Sequence, residues 1–413
     1  MIDIKIEKGA NKKKLKSDFW WQREGLAYID NVLHFENKPV DELIHSTPSY
    51  VYSKQRILEN IDRLSQALIG KNLKHSIHYA MKANRHPSVL KTILNSQKVG
   101  VDVCSPNELK LALDIGFAPN QINYTGTSIS KYDYAQIALC KGIRFNADSL
   151  SAIRQIGTQN IFDTIGIRIN PQIGLGYNES LEYAGNNVTK FGIYSDQIQK
   201  AFELAKNYNI EIDTIHFHVG SGYLNDQLPK MELLLENLKD LIKTYDIKRL
   251  NIGGGLGVPQ QKDDVPLDLD KWSSIISNFV HFQCANPNLE IVLEPGDYFV
   301  KDAGILVGEV TYQEEKNGID FLGVNLGMNI NYEYAYYKMN LEAVPLTNNT
   351  HKLPQKSYTI AGNINEPIDL LGQEVILPLM QEGDLIAFLN TGGYGASTAS
   401  NHCMRGDFSE III

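Results

Sequence analysis

Short apolar runs alternate with amphipathic stretches through most of this chain. Tyr50-Val51-Tyr52, after the turn signal Thr47-Pro48-Ser49, reads as a short strand. Ile57, Ile61, Leu64 and Leu68 then lie three or four residues apart, which puts them on one face of a helix over 54–69. The pairing recurs. Strand-like runs at 77–79, 99–103, 122–125 and 143–146 precede helical segments at 87–96, 107–115, 132–140 and 149–155. Further runs at 165–169, 212–219, 249–252 and 289–293 follow, with a helix over 231–242 after the second of them. Strands and helices alternating over roughly 250 residues are the spacing of a (β/α)₈ barrel.

The texture changes near residue 300. Runs at 305–313, 318–324, 339–346, 356–360, 374–379 and 384–389 read as strands with few helices between them. They predict an all-β domain with antiparallel neighbours. The expected organisation is an N-terminal segment over 1–45 packed on the C-terminal β domain, a barrel over 46–300 and the β domain over 301–413. A chain of 413 residues is too long for one ordinary core, in keeping with two domains.

Composition narrows the function. Hydrophobic residues make up 43% and charged residues 21%, a globular balance. The net charge of -9, with no basic tract, disfavours non-specific binding to nucleic acid, whose phosphates need cations. No apolar run approaches a membrane span, and the N-terminus lacks the apolar core of a signal peptide. Cys104, Cys140, Cys284 and Cys403 form no close-spaced pair, so neither a zinc site nor a disulfide framework is indicated, and a reducing cytoplasm is the expected home.

In barrels of this kind catalytic groups gather where strands end. Lys82, in Tyr79-Ala80-Met81-Lys82-Ala83-Asn84, follows the run at 77–80. A buried lysine there would be costly unless used, although a solvated lysine after a strand is the plain alternative. Arg168 and Asn170 close another strand, and His216 and His218 alternate with Phe217 so that both face one side. Such a histidine pair is as often structural as functional. Gly253-Gly254-Gly255 would expose backbone N–H groups to a phosphate, but tight turns need glycine too. Glu294, before Pro295-Gly296, ends a late strand, and a helix cap is its structural alternative. Together, an amine, an imidazole, a carboxylate and a phosphate loop are what a phosphorylated aldehyde cofactor requires.

In order and over nearly the full length, these motifs resemble the fold-type III pyridoxal-phosphate decarboxylases, most of all the diaminopimelate decarboxylase branch. The resemblance implies a barrel followed by a β domain, pyridoxal 5'-phosphate as cofactor, and homodimers whose active sites draw on both subunits. It makes Lys82 the lysine that carries the cofactor, His218 the ring-stacking histidine, Ser221 and Gly253 to Gly255 the phosphate site, and Glu294 the partner of the pyridine nitrogen. Asp102, Arg168, Gly296 and Tyr394 are further cofactor-binding positions, with Tyr394 reaching the phosphate. Glu108 matches an early acidic position, and Ser400-Asn401 with Arg405 match the end of the Gly-Gly-Tyr motif.

Four positions depart from that pattern. The arginine expected after Glu-Pro-Gly is Asp297. The arginine expected after Gly327-Met328-Asn329 is Glu333, between Tyr332 and Tyr334. The second-subunit motif Cys-Glu-x-x-Asp reads Asn365-Glu366-Pro367-Ile368-Asp369, so the residue that returns a proton in relatives is an amide, which is no comparable acid. Asn325 stands where an aspartate is expected. Two positive positions turned acidic should favour a distal amine over a distal carboxylate, with Asp297, Glu333, Glu366 and Asp369 as candidate substrate contacts and Asn365 at the catalytic position. The expected activity is decarboxylation of a diamino acid or a substituted derivative. Diaminopimelate decarboxylation proper, a racemase or eliminase, and a non-catalytic homologue are the alternatives.

Overall fold

The computed structural model describes residues 19–185, 188–349 and 352–413. Eight parallel strands close into a barrel: β1 (His75–Ala80), β2 (Gly100–Val103), β3 (Ile122–Thr125), β4 (Arg144–Ala147), β5 (Thr164–Arg168), β6 (Glu211–His216), β7 (Arg249–Asn251) and β8 (Glu290–Leu293). Each pairs with the next, and Val292 of β8 opposite Ser76 of β1 closes the ring. The strands are buried on both faces, by the barrel interior and by the helices outside, and buried polar residues such as Asp102, Asn123, Asn146 and Asn251 interrupt their apolar positions.

Serines start several of those helices. Ser53, Ser105 and Ser149 each accept a backbone N–H from the first helical turn, which satisfies a donor the helix itself leaves unpaired. Glu108 completes the second cap by accepting from the Cys104 N–H at 2.8 Å. That carboxylate therefore fastens a helix start. The helix Lys54–Ile69 buries Ile57, Ile61, Leu64 and Leu68, the face its spacing predicts. Helices Ile198–Asn207 and Leu269–Asn278 complete the outer layer and were not read from the sequence.

The second domain is an eight-stranded sheet. Its path runs Ala343–Pro345, Leu385–Phe388, Gly304–Lys316, Ile319–Val324, Gln355–Ala361 and Leu370–Pro378. Most neighbours are antiparallel, but Ile319–Val324 pairs with Gln355–Ala361 in parallel. The expected strand over 339–346 is confined to Ala343–Pro345, and a short helix, Glu333–Tyr337, precedes it.

Ser49–Tyr52 belongs to this sheet rather than to the barrel. It lies between Gly304–Val307, antiparallel, and Ser409–Ile412, parallel. The barrel's strands begin at His75, so the expected barrel range over 46–300 takes in one strand of the neighbouring domain. A three-residue apolar run cannot by itself say which sheet will bury it. Residues Leu26–Phe35 form a hairpin whose Leu33 N–H donates to Leu346 O at 2.8 Å. Trp21, Leu26, Leu33 and Phe35 share an apolar cluster with Ile305, Val307, Val344 and Leu389 of the sheet. None of the helices among the described residues is long and apolar enough to cross a membrane.

One buried titratable group within the barrel carries a pH prediction. His78, on β1, is buried, with its Nδ1 at 3.2 Å from Gln121 O. Burial lowers its pKa below the ordinary 6.5, so the native state binds fewer protons than the unfolded chain. Stability should thus be full above that value and fall as pH drops through it, by at most about 1.4 kcal/mol per pH unit for this group. Urea midpoints at pH 7.5, 6.5 and 5.5 should fall more gently in His78→Asn than in the native sequence; equal slopes would refute the assignment.

Candidate active site

β1 ends in the tight turn Met81–Ala83, and this places Lys82 at the mouth formed by the strands' C-terminal ends. The side chain is exposed rather than buried, so the exposure belonging to the plain alternative is present, but on the turn that directly follows a strand of the closed barrel. Its ammonium acts electrostatically on Asp102, His218 and Asp297, three groups around the same mouth. The turn is also tied to the second domain. Tyr394 N–H donates to Ala83 O at 2.7 Å, Ser397 Oγ to Lys82 O at 2.7 Å, and Asn84 Nδ2 to Gly392 O at 2.9 Å. The domain interface therefore fixes the lysine's backbone.

Glu294, just after β8, is buried with both oxygens held. Its Oε2 lies 3.1 Å from His216 Nε2, and its Oε1 accepts from Asn251 Nδ2 at 2.6 Å. Burial alone would raise its pKa. The charge and hydrogen bond of His216, with the bond from Asn251, outweigh this and hold it at about 2. The carboxylate is therefore ionised, and it caps no helix. Asn251 has a second task, because its Oδ1 accepts from the Gly253 N–H at 2.9 Å. One amide thus links the carboxylate to the glycine loop. The Asn-x-Gly spacing before the triplet is a turn signal that could have exposed this role.

The glycine triplet is a cradle in which side chains have no room. A Cβ at Gly253 would come 2.6 Å from Phe217 O, at Gly254 2.2 Å from Glu294 O, and at Gly255 2.4 Å from Gly220 O. Gly253 and Gly255 also have positive φ. The loop packs beside Ser221, whose Oγ is 3.5 Å from the Tyr183 hydroxyl. Gly296 backs the Lys82 turn and lies beside the Tyr394 hydroxyl.

His218 follows β6, with its ring centroid 5.3 Å from that of Tyr183. Its Nδ1 is buried without a partner. Burial first, then the charges of Lys82 and Arg168, push its pKa well below the ordinary value and keep the ring neutral. Asp102 on β2 carries an unpartnered, buried Oδ1, and burial reinforced by Glu294 pushes its pKa well up. Arg168 ends β5 with its guanidinium 4.4 Å from the centre of the Phe191 ring and 3.8 Å from Asp148. Asn170 orders the following loop by donating to Thr189 Oγ1 and Phe191 O.

A pocket that opens to solvent adjoins this cluster. Ser221, Tyr183, Tyr394, Asp297, Glu333, Tyr332 and Tyr337 are among the residues that line it. Lys301 also lines it and was absent from the sequence reading. It is 2% exposed, forms a buried salt bridge with Glu333, and lies 3.7 Å from Asp297. The two acids that replace arginines therefore share one cation, and the local charge is less negative than the replacements alone imply. Tyr334, beside Glu333, instead donates to Gln373 Oε1 at 2.9 Å.

The segment at 365–369 does not line this cavity. Asn365 and Glu366 are exposed, and Glu366 Oε1 lies 3.3 Å from His402 Nε2. Asp369 is buried and accepts from the backbone N–H groups of Met328 and Ile364, each at 2.6 Å. Its carboxylate thereby fastens two loops together. Asn325 is likewise structural, donating to Thr47 Oγ1 and accepting from the Glu309 N–H. Asn329 donates to the carbonyls of Ser400 and Arg405, which places the end of the Gly-Gly-Tyr motif in backbone packing.

These residues fit pyridoxal 5'-phosphate: a lysine at the mouth, a neutral imidazole with a free nitrogen, an ionised buried carboxylate, and a glycine cradle beside serine and tyrosine hydroxyls. Comparison with known proteins agrees. The family model described as "Pyridoxal-dependent decarboxylase, pyridoxal binding domain" matches residues 54–301. The diaminopimelate decarboxylase of Methanothermobacter thermautotrophicus is 32% identical over 381 residues, covering 89% of this chain and 87% of that one. That of Aquifex aeolicus is 30% identical over 403 residues, covering 94% and 92%. The crystal structure of diaminopimelate decarboxylase from Helicobacter pylori complexed with L-lysine superposes with a TM-score of 0.82 at 27% identity, covering 91% of this chain and 94% of that one. The chain belongs to the pyridoxal-dependent decarboxylase family, as a divergent relative of the diaminopimelate decarboxylases.

Proposed function

We propose that this protein is a pyridoxal-phosphate-dependent decarboxylase of an amino acid whose distal end is cationic or uncharged, a diamino acid or a substituted derivative. It converts that substrate to an amine and CO₂. The observation that carries this reading is the conjunction at one barrel mouth: Lys82, His218, Glu294 and the glycine cradle gather beside a pocket whose wall holds Asp297 and Glu333.

Pyridoxal phosphate, when bound, supplies an electron sink for the bond that breaks. Lys82 is the amine that would hold it, and the loop at 253–255 with Ser221 and Tyr394 would hold its phosphate. Glu294, kept ionised by His216 and Asn251, would stabilise a protonated ring nitrogen. His218, neutral, offers a ring face without adding charge. Replacement of Glu294 by glutamine should retain the shape of this contact and lose its charge. CO₂ release should then fall by about 10²–10³-fold, the usual cost of removing one preorganised electrostatic partner. A loss under tenfold would count against the assignment.

The proton that replaces CO₂ needs a donor other than Asn365. Tyr183, Tyr332, Tyr337 and Tyr394 line the cavity, and burial raises the pKa of each phenol, so all four carry a proton at neutral pH. We also propose a homodimer. Glu366 is exposed and apart from its own chain's cavity, so it can meet substrate only across a subunit boundary.

The test is CO₂ release from a panel of diamino acids, free and N-substituted, with diaminopimelate included. Release from a diamino acid lacking a distal carboxylate supports the reading. Release from diaminopimelate alone would return the protein to that activity. Deuterium exchange at Cα with the carboxylate retained would make it a racemase-type catalyst.

A further inference from the structure

We propose that Lys301, Asp297 and Glu333 act as one charge-reading unit that selects a single distal ammonium group. The inference rests on the decarboxylase reading for the identity of the reacting end, and on the unit's own geometry for the distal end. Lys301 and Glu333 are 2% and 3% exposed, far from the condition of ordinary surface charges. Lys301 donates to Glu333 and lies 3.7 Å from Asp297, so two carboxylates share one ammonium and the unit carries one formal negative charge.

The satisfied half of the unit is as informative as the unsatisfied half. Glu333 Oε2 is buried with no hydrogen-bond partner, and Glu333 lines the cavity. Asp297 Oδ1 is also buried and unpartnered. A buried carboxylate oxygen without a donor is costly, and a ligand donor removes that cost. One ammonium would neutralise the remaining charge and supply up to three donors. A distal carboxylate would instead meet two acids, with the Lys301 cation already engaged by both. The phenol rings of Tyr332 and Tyr337 line the same cavity and offer faces that attract cations.

Lys301 is a positioning residue here. Its charge and hydrogen bonds oppose the upward push that burial gives the pKa of both acids, and so favour their ionised forms. Without it, repulsion and burial would protonate one of them and erase the charge that the ligand reads.

The experiment is calorimetric titration of the purified protein loaded with pyridoxal phosphate, using 1,5-diaminopentane, 1-aminopentane and 5-aminopentanoate. None has an α-carboxylate, so binding is read without decarboxylation. The diamine should bind at least about tenfold more tightly than the monoamine, the scale of one charged hydrogen bond, and the aminopentanoate more weakly than either. Glu333→Gln should abolish the diamine preference while leaving the monoamine's affinity in place. Tightest binding of the aminopentanoate, or equal binding of diamine and monoamine, would overturn the proposal. So would a Glu333→Gln variant that weakens all three ligands alike, which is the mark of a merely structural role. Lys301→Arg, which keeps the cation, should retain the preference. CO₂ release without any diamine preference would sink this inference alone. A diamine preference without CO₂ release from any amino acid would sink the proposed function and leave the charge-reading unit standing.

Discussion

Lys82→Ala should yield a folded protein that neither takes on the visible absorption of a bound pyridoxal cofactor nor releases CO₂ from any substrate. The expected loss of activity is on the order of 10³-fold or more, as when a covalent nucleophile is removed from a site that works as a unit. The same substitution should hardly move stability. Lys82 is exposed, and the hydrogen bonds that fix its turn run through backbone carbonyls and neighbouring residues. Surface substitutions of that kind fall within about 0.5 kcal/mol. The test is a pair of measurements on one preparation, visible absorption near 420 nm (roughly where such cofactors absorb when lysine-bound) and a urea unfolding curve. Persistent absorption after the substitution would remove Lys82 from the role and assign it to another amine.

Lys301→Met should behave in the opposite way, as a stability variant first. The native lysine neutralises two carboxylates that sit in the cavity wall, one of them almost fully buried. Removing one member of a buried ion cluster costs about 3–5 kcal/mol, because the partners are left charged or must take up protons. The sign of the pH dependence follows. Burial already raises the pKa of Asp297 and Glu333 with the lysine present, and its loss raises them further. The native state of the variant then binds more protons than its unfolded chain, so its stability should recover as pH falls from 7.5 toward 5.5. Adding Glu333→Gln should restore part of the loss at pH 7.5 by removing one of the stranded charges. Urea midpoints at the two pH values check all three statements; a Lys301→Met protein within about 0.5 kcal/mol of the native one would show that the cluster is not held by its cation.

The barrel was legible because its strands are buried on both faces and its helices carry one apolar stripe each, so runs at 122–125 or 249–252 correspond closely to β3 and β7. The cofactor-side residues were legible for a different reason. Lys82, Glu294 and the glycine triplet sit in short, ordered motifs. Partnerships formed across the barrel left no such trace. His216 was visible as one of two alternating histidines, but its bond to Glu294 spans two strands far apart in sequence. Lys301 could have been noticed as a lysine four residues after Asp297, a helical i,i+4 pair. Its bond to Glu333 could not, because that contact is made only when the second domain docks on the barrel. For the same reason Asp297 and Glu333 looked like a simple reversal of charge, whereas the fold returns one cation between them. Asp369 carries a structural task that motif reading leaves out. Its type and spacing suit a substrate contact, yet its oxygens are engaged by backbone amides.

The strand Ser49–Tyr52 has a consequence for how the chain is made. A ribosome completes it early, but the two strands that flank it, Gly304–Val307 and Ser409–Ile412, emerge hundreds of residues later. Throughout that interval a wholly buried native segment has both of its edges open. The barrel can assemble from contiguous βα units while this ribbon waits, so vectorial synthesis favours the first domain and leaves the second to close only around the last residues of this sequence. Because Tyr394 and Ser397 brace the Lys82 turn from that late domain, the lysine's backbone can gain this support only after the C-terminal part of the chain has been made.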